Sequence, residues 1–367
     1  MPNPFIFQLQ AQQGRARAGL FYTPHGSLPT PLFAPVGTQA TVKAITPAQL
    51  KELNTSLILA NTYHLYLRPG DELVREMGGL HSFMNWSNPI LTDSGGYQIF
   101  SLADNRIVDD DGVTFKSHID GSIHRLTPEK AIEIQENLGA DIIMTLDECA
   151  PPSDRIYNER AMARTHAWAE RCLSAKQRSD QALFGIVQGG IFHDLRQASA
   201  EFISSMNFPG NAIGGLSVGE TKAEMHSVLE LVDTILPEDK PRYLMGLGTP
   251  QDIVNGVSRG IDLFDCVLPT RLARHNAALT RTDRLNLLNA NFAKDPKPID
   301  EMCLCYTCQY FSRAYIRHLI VAKEMLAATL LSIHNLHTLI QLTQDIRQAI
   351  LVGKFDTFMT DFFERQS

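Results

Sequence analysis

Three aspartates lie at or near the ends of short apolar runs, and they are the residues of this sequence best suited to chemistry. Asp93 follows one such run, Asp147 follows the run 141–146, and Asp265 lies within the run 263–268. Burying an unpaired carboxylate is costly, so a chain that places one there usually has a partner or a use for it. Two carboxylates can serve as nucleophile and general acid/base in a retaining displacement at a sugar carbon. For a single aspartate, a purely structural role is the alternative.

A basic cluster follows Asp265 directly. Pro269 ends the apolar run, and Thr270, Arg271, Arg274 and His275 come next. An acid followed at once by cations is typical of a nucleophile beside an anion-binding rim, whereas a solvated arginine loop is the simpler interpretation.

Three of the six cysteines fall within six positions, Cys303, Cys305 and Cys308. This spacing is typical of a metal site and not of a disulfide framework, which fits a reducing cytoplasm. Three thiolates select zinc, and a fourth ligand would close a structural tetrahedral shell. The downstream candidates for that ligand are His318, His334 and His337, and spacing does not choose among them.

Eight short apolar runs alternate with stretches of helical pattern. Such alternation predicts parallel β/α units, and eight of them predict a closed (β/α)8 TIM barrel. The runs are 31–36, 57–60, 89–92, 141–146, 183–187, 211–216, 242–246 and 263–268.

The runs end in unusual polar or glycine-rich segments. In a β/α barrel these ends meet at one face, where active sites are built. From the residues, Gln188, the Gly215 N–H and an ionised Asp147 form a donor and acceptor set that suits the edge of a purine-like ring. Tyr97 and Met245 are candidates to stack on that ring, although such residues are more often part of a core.

Composition limits the choice of function. The chain has 367 residues, 44% of them hydrophobic, and a formal net charge of −7, so it is not a non-specific nucleic-acid binder. A polyanion would have to bind a local basic patch. The N-terminus has no signal-peptide pattern. The apolar stretch 319–333 is interrupted by Lys323 and Glu324, which predicts an amphipathic or core helix and no membrane span.

Several of these segments together resemble the bacterial tRNA-guanine transglycosylase (queuine tRNA-ribosyltransferase) family. The resemblance runs from about residue 14 to the C-terminal helix. The matching stretches are NTYHL (61–65), TDSGGYQ (92–98), LDEC (146–149), VQGG (187–190), GGLSVGE (214–220), FDCV (264–267) and the three clustered cysteines.

The resemblance implies a TIM barrel with a zinc-binding subdomain inserted near the C-terminus. We divide the chain accordingly into a barrel (1–292), a zinc subdomain (293–340) and a C-terminal helix packed on the barrel (341–367). It implies that Asp265 is the nucleophile on the ribose and Asp93 the general acid/base. His334 would be the fourth zinc ligand, and Thr270, Arg271 and Arg274 would hold the anticodon loop. The residues implied to bind the base are Asp147, Gln188, Gly215, Leu216, Tyr97, Met245, Ser94 and Cys149.

The implied reaction exchanges the wobble guanine of GUN anticodons, in tRNAs for aspartate, asparagine, histidine and tyrosine, for a modified base. Cys149 and Val218 match the bacterial pattern, which favours preQ1 over queuine. The resemblance further implies a homodimer without a nucleotide cofactor. Two departures bear on the contact with RNA: Asn276 replaces a usual glycine, and the segment 285–292 lacks basic residues. The rival interpretations are a hydrolase, a non-catalytic tRNA-binding subunit and a zinc-dependent metabolic enzyme.

Overall fold

The computed structural model describes residues 5–102 and 106–365. Residues 1–4 and 366–367, which are the outer ends of the predicted barrel and C-terminal segments, lie outside the described part. The strands are β1 (Phe7–Gln13), β2 (Ala16–Thr23), β3 (Gly26–Thr30), β4 (Leu32–Pro35), β5 (Ile58–Ala60), β6 (Ile90–Thr92), β7 (Arg106–Asp109), β8 (Gly112–Lys116), β9 (Ile123–Leu126), β10 (Ile142–Met144), β11 (Ala182–Val187), β12 (Gly210–Ile213), β13 (Arg242–Leu244), β14 (Leu263–Cys266), β15 (Ala277–Leu279) and β16 (Arg284–Asn286).

The helices pack mainly around the outside of the barrel. They are α1 (Pro47–Glu52), α2 (Thr62–Leu67), α3 (Asp71–Glu76), α4 (Gly79–Phe83), α5 (Gly96–Leu102), α6 (Pro128–Leu138), α7 (Arg155–Ala175), α8 (His193–Ser205), α9 (Lys222–Asp233), α10 (Pro250–Val257), α11 (Leu268–Arg274), α12 (Tyr306–Tyr310), α13 (Arg313–Val321), α14 (Met325–Leu351) and α15 (Phe355–Glu364), with a 3-10 helix at Ala290–Lys294.

Eight parallel strands form one sheet that closes on itself. Their order is β4-β14-β13-β12-β11-β10-β6-β5. A parallel bridge between Val36 and Leu59, just past the end of β4, joins the two outer members and closes the ring. Each strand lies within or beside one of the eight predicted runs, so the predicted (β/α)8 barrel is confirmed.

The strand formed by the last predicted run is shorter than the run of apolar residues itself. β14 ends at Cys266, and α11 begins two residues later with Pro269 in its first turn. Proline is favoured at this position because its missing N–H would have no helical partner there. The chain therefore turns from strand to helix within the apolar run, and this turn places the basic cluster on a helix.

The segment with the clustered cysteines lies between β14 and α14. Helix α14 packs against β4, α10 and α11 and so takes the place of the eighth outer helix of the barrel. Because α14 runs through residue 340, the boundary predicted there lies inside a helix. The division into three segments stays a prediction.

Helix α14 is long and apolar enough to cross a membrane, but 67% of its most apolar window is buried inside the protein. The predicted stretch 319–333 is not one helix. It is broken where Lys323 takes a φ of +59° and the Glu324 N–H donates to the Leu319 carbonyl, a hydrogen bond that ends α13. The burial of α14 is that of a core helix.

Strands β1, β2 and β3 form an antiparallel sheet that lies against the amino-terminal end of the barrel. Phe21 and Leu28 of this sheet belong to the same buried cluster as the inward-facing barrel residues Phe184 and Leu263. The sheet therefore covers one end of the barrel interior and leaves the other end for the residues that follow the strands.

Candidate active site

The alternation of side chains along a strand brings Asp93 and Asp265 to the barrel interior. Leu91 and Leu263 belong to the interior cluster, and each aspartate lies two residues further along, on the same face. Asp93 is 7% exposed and Asp265 is 8% exposed. Both carboxylates thus lie at the carboxyl ends of their strands, just above the packed interior.

Neutral donors surround the Asp93 carboxylate. The Thr62 N–H and the Gln98 amide donate to its two oxygens, each at 2.8 Å, and the Asn61 amide donates as well. Burial, helped by the charge of Asp265, raises the pKa of Asp93 to about 6 against the effect of these donors. A carboxyl with this pKa exchanges a proton near neutrality, as general acid/base chemistry requires.

Asp265 is held through one of its oxygens. The Tyr243 hydroxyl donates to Oδ1 at 2.6 Å and the Gly246 N–H donates to the same oxygen at 2.8 Å. Burial raises the pKa of Asp265, although both donors favour the ionised form. Tyr243 was not predicted from the sequence, because nothing local distinguishes it from an ordinary interior residue of β13.

Asp147, Ser94 and Gln188 form a third buried group. The Ser94 hydroxyl donates to one oxygen of Asp147 at 3.0 Å, and the Gln188 amide donates to the other at 2.7 Å. Burial raises the pKa of Asp147. This group offers a carboxylate and an amide side by side, which suits a ligand that presents adjacent N–H and C=O groups.

Gly215 has a φ of +64°, and a Cβ atom there would overlap the side-chain oxygen of Gln188. The positive φ and this close approach to Gln188 both favour glycine here. Leu216, the next residue, is buried. The segment predicted to bind a base thus lies directly against the Asp147–Gln188 pair.

The remaining predicted base contacts differ in exposure. Tyr97 on α5 is 54% exposed, and Met245 is partly buried at the edge of the interior cluster. Cys149 is half-buried, and burial together with the charge of Asp147 raises the pKa of its thiol to about 12. This shift favours the uncharged thiol of Cys149 at neutral pH over the thiolate that nucleophilic chemistry needs.

Arg196 is a fully buried residue beneath this site that the sequence analysis missed. Its guanidinium donates to the carbonyls of Gly190, Val187 and Gly214 at 2.7 to 3.0 Å, and to that of Gly215 at 3.2 Å. It thereby ties the ends of β11 and β12 together. An arginine on a helix is usually exposed, so its sequence context gives no signal of this role.

The basic cluster is on the surface of α11. Arg271 and Arg274 are both exposed and lie three residues apart, on one face of the helix. Thr270 differs from them, since it is buried and its hydroxyl donates to the Val267 carbonyl at 3.4 Å. Asn276 ends the helix with a φ of +65°, a conformation that asparagine adopts more readily than other non-glycine residues. The loss of the usual glycine therefore leaves this turn intact.

The three clustered cysteines meet His334 of α14. The Nδ1 atom of His334 lies 3.6 Å from the sulfurs of Cys303 and Cys305 and 3.3 Å from that of Cys308. Bonds of about 2.3 Å to sulfur and about 2.05 Å to nitrogen at a tetrahedral zinc place S and N about 3.6 Å apart. The Nε2 atom faces the Leu279 carbonyl at 2.9 Å, which leaves Nδ1 as the ligand nitrogen. The four residues form a cluster able to bind a metal ion.

Comparison with known proteins agrees with this arrangement. A sequence profile of the family described as Queuine tRNA-ribosyltransferase matches residues 12–367. The chain is 57% identical over 364 residues to the queuine tRNA-ribosyltransferase of Herpetosiphon aurantiacus, covering 99% of this chain and 93% of the relative. It is 54% identical over 365 residues to that of Desulforamulus reducens, covering 99% of both. It is 56% identical over 366 residues to that of Pelotomaculum thermopropionicum, covering 100% of this chain and 99% of the relative.

The barrel, the buried carboxylates at its carboxyl end and the similarity along nearly the whole chain lead to one conclusion. The chain belongs to the queuine tRNA-ribosyltransferase family, whose members are tRNA-guanine transglycosylases, enzymes of the glycosyltransferase class that act on tRNA and a guanine-type base.

Proposed function

We propose that this enzyme replaces the wobble guanine of GUN anticodons with preQ1 by double displacement, as a step of queuosine biosynthesis. The observation that carries the proposal is the pair Asp93 and Asp265, two buried carboxylates at the carboxyl end of the barrel. Their hydrogen-bond donors among the described residues are all neutral. A single-stranded anticodon loop can present its base to such a pocket at lower cost than a duplex can.

In the first half of the reaction, Asp265 attacks C1′ of the ribose. The new bond is an ester between the carboxylate and C1′, and the bond that breaks joins C1′ to N9 of guanine. The electron pair leaves with the base, and protonated Asp93 supplies the proton that neutralises it. A pKa of about 6 keeps about a tenth of Asp93 protonated at pH 7, so the acid form is available.

The second half reverses these steps with the new base. Ionised Asp93 takes the proton from N9 of preQ1, and N9 attacks C1′ and expels the Asp265 carboxylate. One glycosidic bond is exchanged for another, so the reaction needs no energy input. The donors to Asp265 among the described residues, Tyr243 and Gly246, both bind Oδ1. We therefore assign Oδ2 as the attacking oxygen.

The base lies, in this proposal, against Asp147, Gln188 and the backbone at Gly215 and Leu216. The carboxylate accepts from the ring N–H groups, and the amide and backbone donors bind the ring carbonyl. The direct hydrogen bond between Gln188 and Asp147 supports the assignment because it presents both groups on one side.

Residues at the rim of the pocket contact other parts of the ligand. Tyr97 and Met245 stack on the base, and Ser94 orients Asp147 through its hydrogen bond. Half-buried Cys149 and Val218 lie beside the base segment and favour the small preQ1 over queuine. Arg271 and Arg274 contact the anticodon phosphates from α11, and Thr270, which is buried, acts only through the position of that helix.

We propose that the cluster of Cys303, Cys305, Cys308 and His334 holds a structural zinc ion. Three thiolates and one imidazole complete a tetrahedral shell and leave no position for a substrate, so the metal would stabilise the segment and take no step in the reaction. Cys305→Ala should lose the metal and stability together. A stable, metal-free and fully active variant would refute this role.

We also propose that the enzyme is a cytoplasmic homodimer. A second copy fits the exposed aromatic side chains near the zinc cluster, since Tyr306, Tyr310 and Tyr315 are 51%, 68% and 40% exposed. Light scattering should give twice the chain mass, and Tyr310→Glu should shift it toward the monomer. A wild-type monomer at micromolar concentration would contradict the proposal.

The direct test of function is incorporation of labelled guanine into an unmodified tRNA with a wobble guanine, with preQ1 and queuine as competitors. Incorporation that preQ1 suppresses at lower concentration than queuine is the expected result. If queuine were the stronger competitor, the incoming base would be queuine. Release of free guanine without incorporation would make the protein a hydrolase, and no reaction at all would favour a tRNA-binding subunit.

A further inference from the structure

His25, His81 and Asp141 meet at the end of the barrel opposite the active site. Asp141 immediately precedes β10, whereas Asp147 follows that strand. At about 3.3 Å per residue, the two ends of this segment are about 20 Å apart. His25 lies in the turn between β2 and β3, and His81 lies on α4, so three separate elements contribute to the cluster.

The three side chains present their ligand atoms to one another. His25 Nδ1 lies 2.8 Å from Asp141 Oδ1, and His81 Nε2 lies 3.2 Å from Asp141 Oδ2. All three ligand atoms are within 4.8 Å of one another. The two imidazole rings stack with their centroids 3.6 Å apart and their planes inclined by 16°.

Among the described residues, one nitrogen of this group contacts the carboxylate only as an ion pair. His81 Nε2 is buried and, despite its short distance to Asp141, makes no hydrogen bond within the described residues. Its contact with the Asp141 carboxylate is an ion-pair contact that is poorly aligned for a hydrogen bond, so the buried nitrogen is incompletely satisfied and a ligand could complete its coordination. The carboxylate beside it is itself completely shielded from solvent.

We propose that His25, His81 and Asp141 bind a zinc-class divalent metal ion that is separate from the cysteine cluster. Two imidazoles and one carboxylate suit Zn²⁺, Co²⁺ or Ni²⁺, and the three protein ligands leave one position for water. The nearly parallel rings must converge on the ion. His25, whose side chain is 42% exposed on a turn, is the ring that tilts to do so.

The consequence of this site would be structural. The ion links the β2–β3 turn to α4 and to the start of β10, and so fastens the amino-terminal sheet over the end of the barrel. Because nothing in the reaction passes through this end, the metal would change stability and leave base exchange unaffected.

The test is metal stoichiometry of the protein with its cysteine cluster already filled with zinc. Equilibrium dialysis against micromolar Zn²⁺ should give two zinc ions per wild-type chain. His25→Ala and His81→Ala should each weaken the binding affinity for the second ion by about tenfold or more. His193→Ala, which removes an exposed histidine outside the cluster, should keep both ions.

Thermal unfolding gives an independent readout. Added Zn²⁺ should raise the melting temperature of the wild type and of His193→Ala, but not that of His25→Ala. Guanine exchange by all three histidine variants should match the wild type. One zinc ion per wild-type chain would overturn the proposal, as would a second ion that persists in both His25→Ala and His81→Ala.

Discussion

Two buried aspartates only three residues apart have different kinds of partner at the two ends of the barrel. Asp262 precedes β14 at the amino-terminal end and forms an ion pair with buried Arg17. Asp265 lies within β14 near the carboxyl end and accepts from the Tyr243 hydroxyl and the Gly246 N–H, which are neutral. Both carboxylates are buried, so the partners and not the burial distinguish them.

The difference has a chemical consequence. In an ion pair the carboxylate neutralises the charge of another buried residue. Removing the carboxylate therefore leaves that buried charge unpaired. Neutral donors hold a carboxylate in place without neutralising it. The negative charge therefore remains available for attack on a sugar carbon. In β/α barrels the carboxyl ends of the strands carry function and the amino-terminal ends contribute stability, and the two aspartates match this division.

Asp265→Asn should have the largest effect on activity. The variant keeps an oxygen that accepts from Tyr243 and Gly246 but has no nucleophilic charge, so exchange should fall by about 10⁴-fold or more while the fold persists. Steady-state exchange, tRNA binding and urea unfolding measure the three quantities. Retained turnover would remove Asp265 from the nucleophile role.

Asp262→Asn should show the opposite pattern. It leaves Arg17 buried without its carboxylate, which should cost about 3–5 kcal/mol of unfolding free energy. Exchange activity per folded molecule should be unchanged. The exposed Asp239→Asn is the control and should stay within about 0.5 kcal/mol of the wild type. If Asp262→Asn were stable and inactive, the contrast between the two ends would fail.

Asp93 should make stability depend on pH in an unusual direction. Its pKa is 3.8 when unperturbed and about 6 in the fold, so between these values the folded state holds a proton that the unfolded state has lost. The free energy of unfolding therefore falls as pH rises from 4 to 6, by about 2 kcal/mol for this group alone, and by about 3 kcal/mol over its whole titration.

Asp93→Asn removes this titration. The stability of the variant relative to the wild type should therefore increase by about 2.5 kcal/mol between pH 4 and pH 7. Urea unfolding of both proteins at each pH measures the difference, in which the other carboxylates cancel. A difference that is constant with pH would show that the carboxyl of Asp93 is not perturbed.

Arg274→Ala should have the smallest effect, confined to binding. Loss of one phosphate contact should weaken tRNA binding and reduce the slope of log K against log salt by about 0.7 to 0.9. Arg15→Ala, a half-exposed arginine paired with Asp233 at the other end, is the control. An unchanged slope for Arg274→Ala would exclude Arg274 from the RNA contact.

The sequence predicts what local patterns encode. Each barrel strand is a short apolar run, each of the three aspartates lies within or directly after such a run, and the three clustered cysteines fall within six positions. None of the antiparallel strands was predicted; these are β1–β3, β7–β9, β15 and β16. The burial of β1 is irregular and most of its residues are exposed, so it carries no clean alternation.

Contacts between distant residues could not be predicted in the same way. Tyr243 meets Asp265 only because β13 and β14 are neighbours in the sheet, and Arg196 meets its carbonyls only after α8 packs. The cluster of His25, His81 and Asp141 joins residues more than fifty positions apart. Their types are ordinary in sequence, and the fold alone brings them together.

The most direct measurement is to locate the covalent intermediate. The wild-type enzyme is incubated with a wobble-guanine tRNA in the absence of free base, denatured, digested and analysed by mass spectrometry. The account predicts a ribose-linked peptide whose modified residue is Asp265. Modification of Asp93 or Asp147 instead, or exchange activity without any adduct at Asp265, would contradict it.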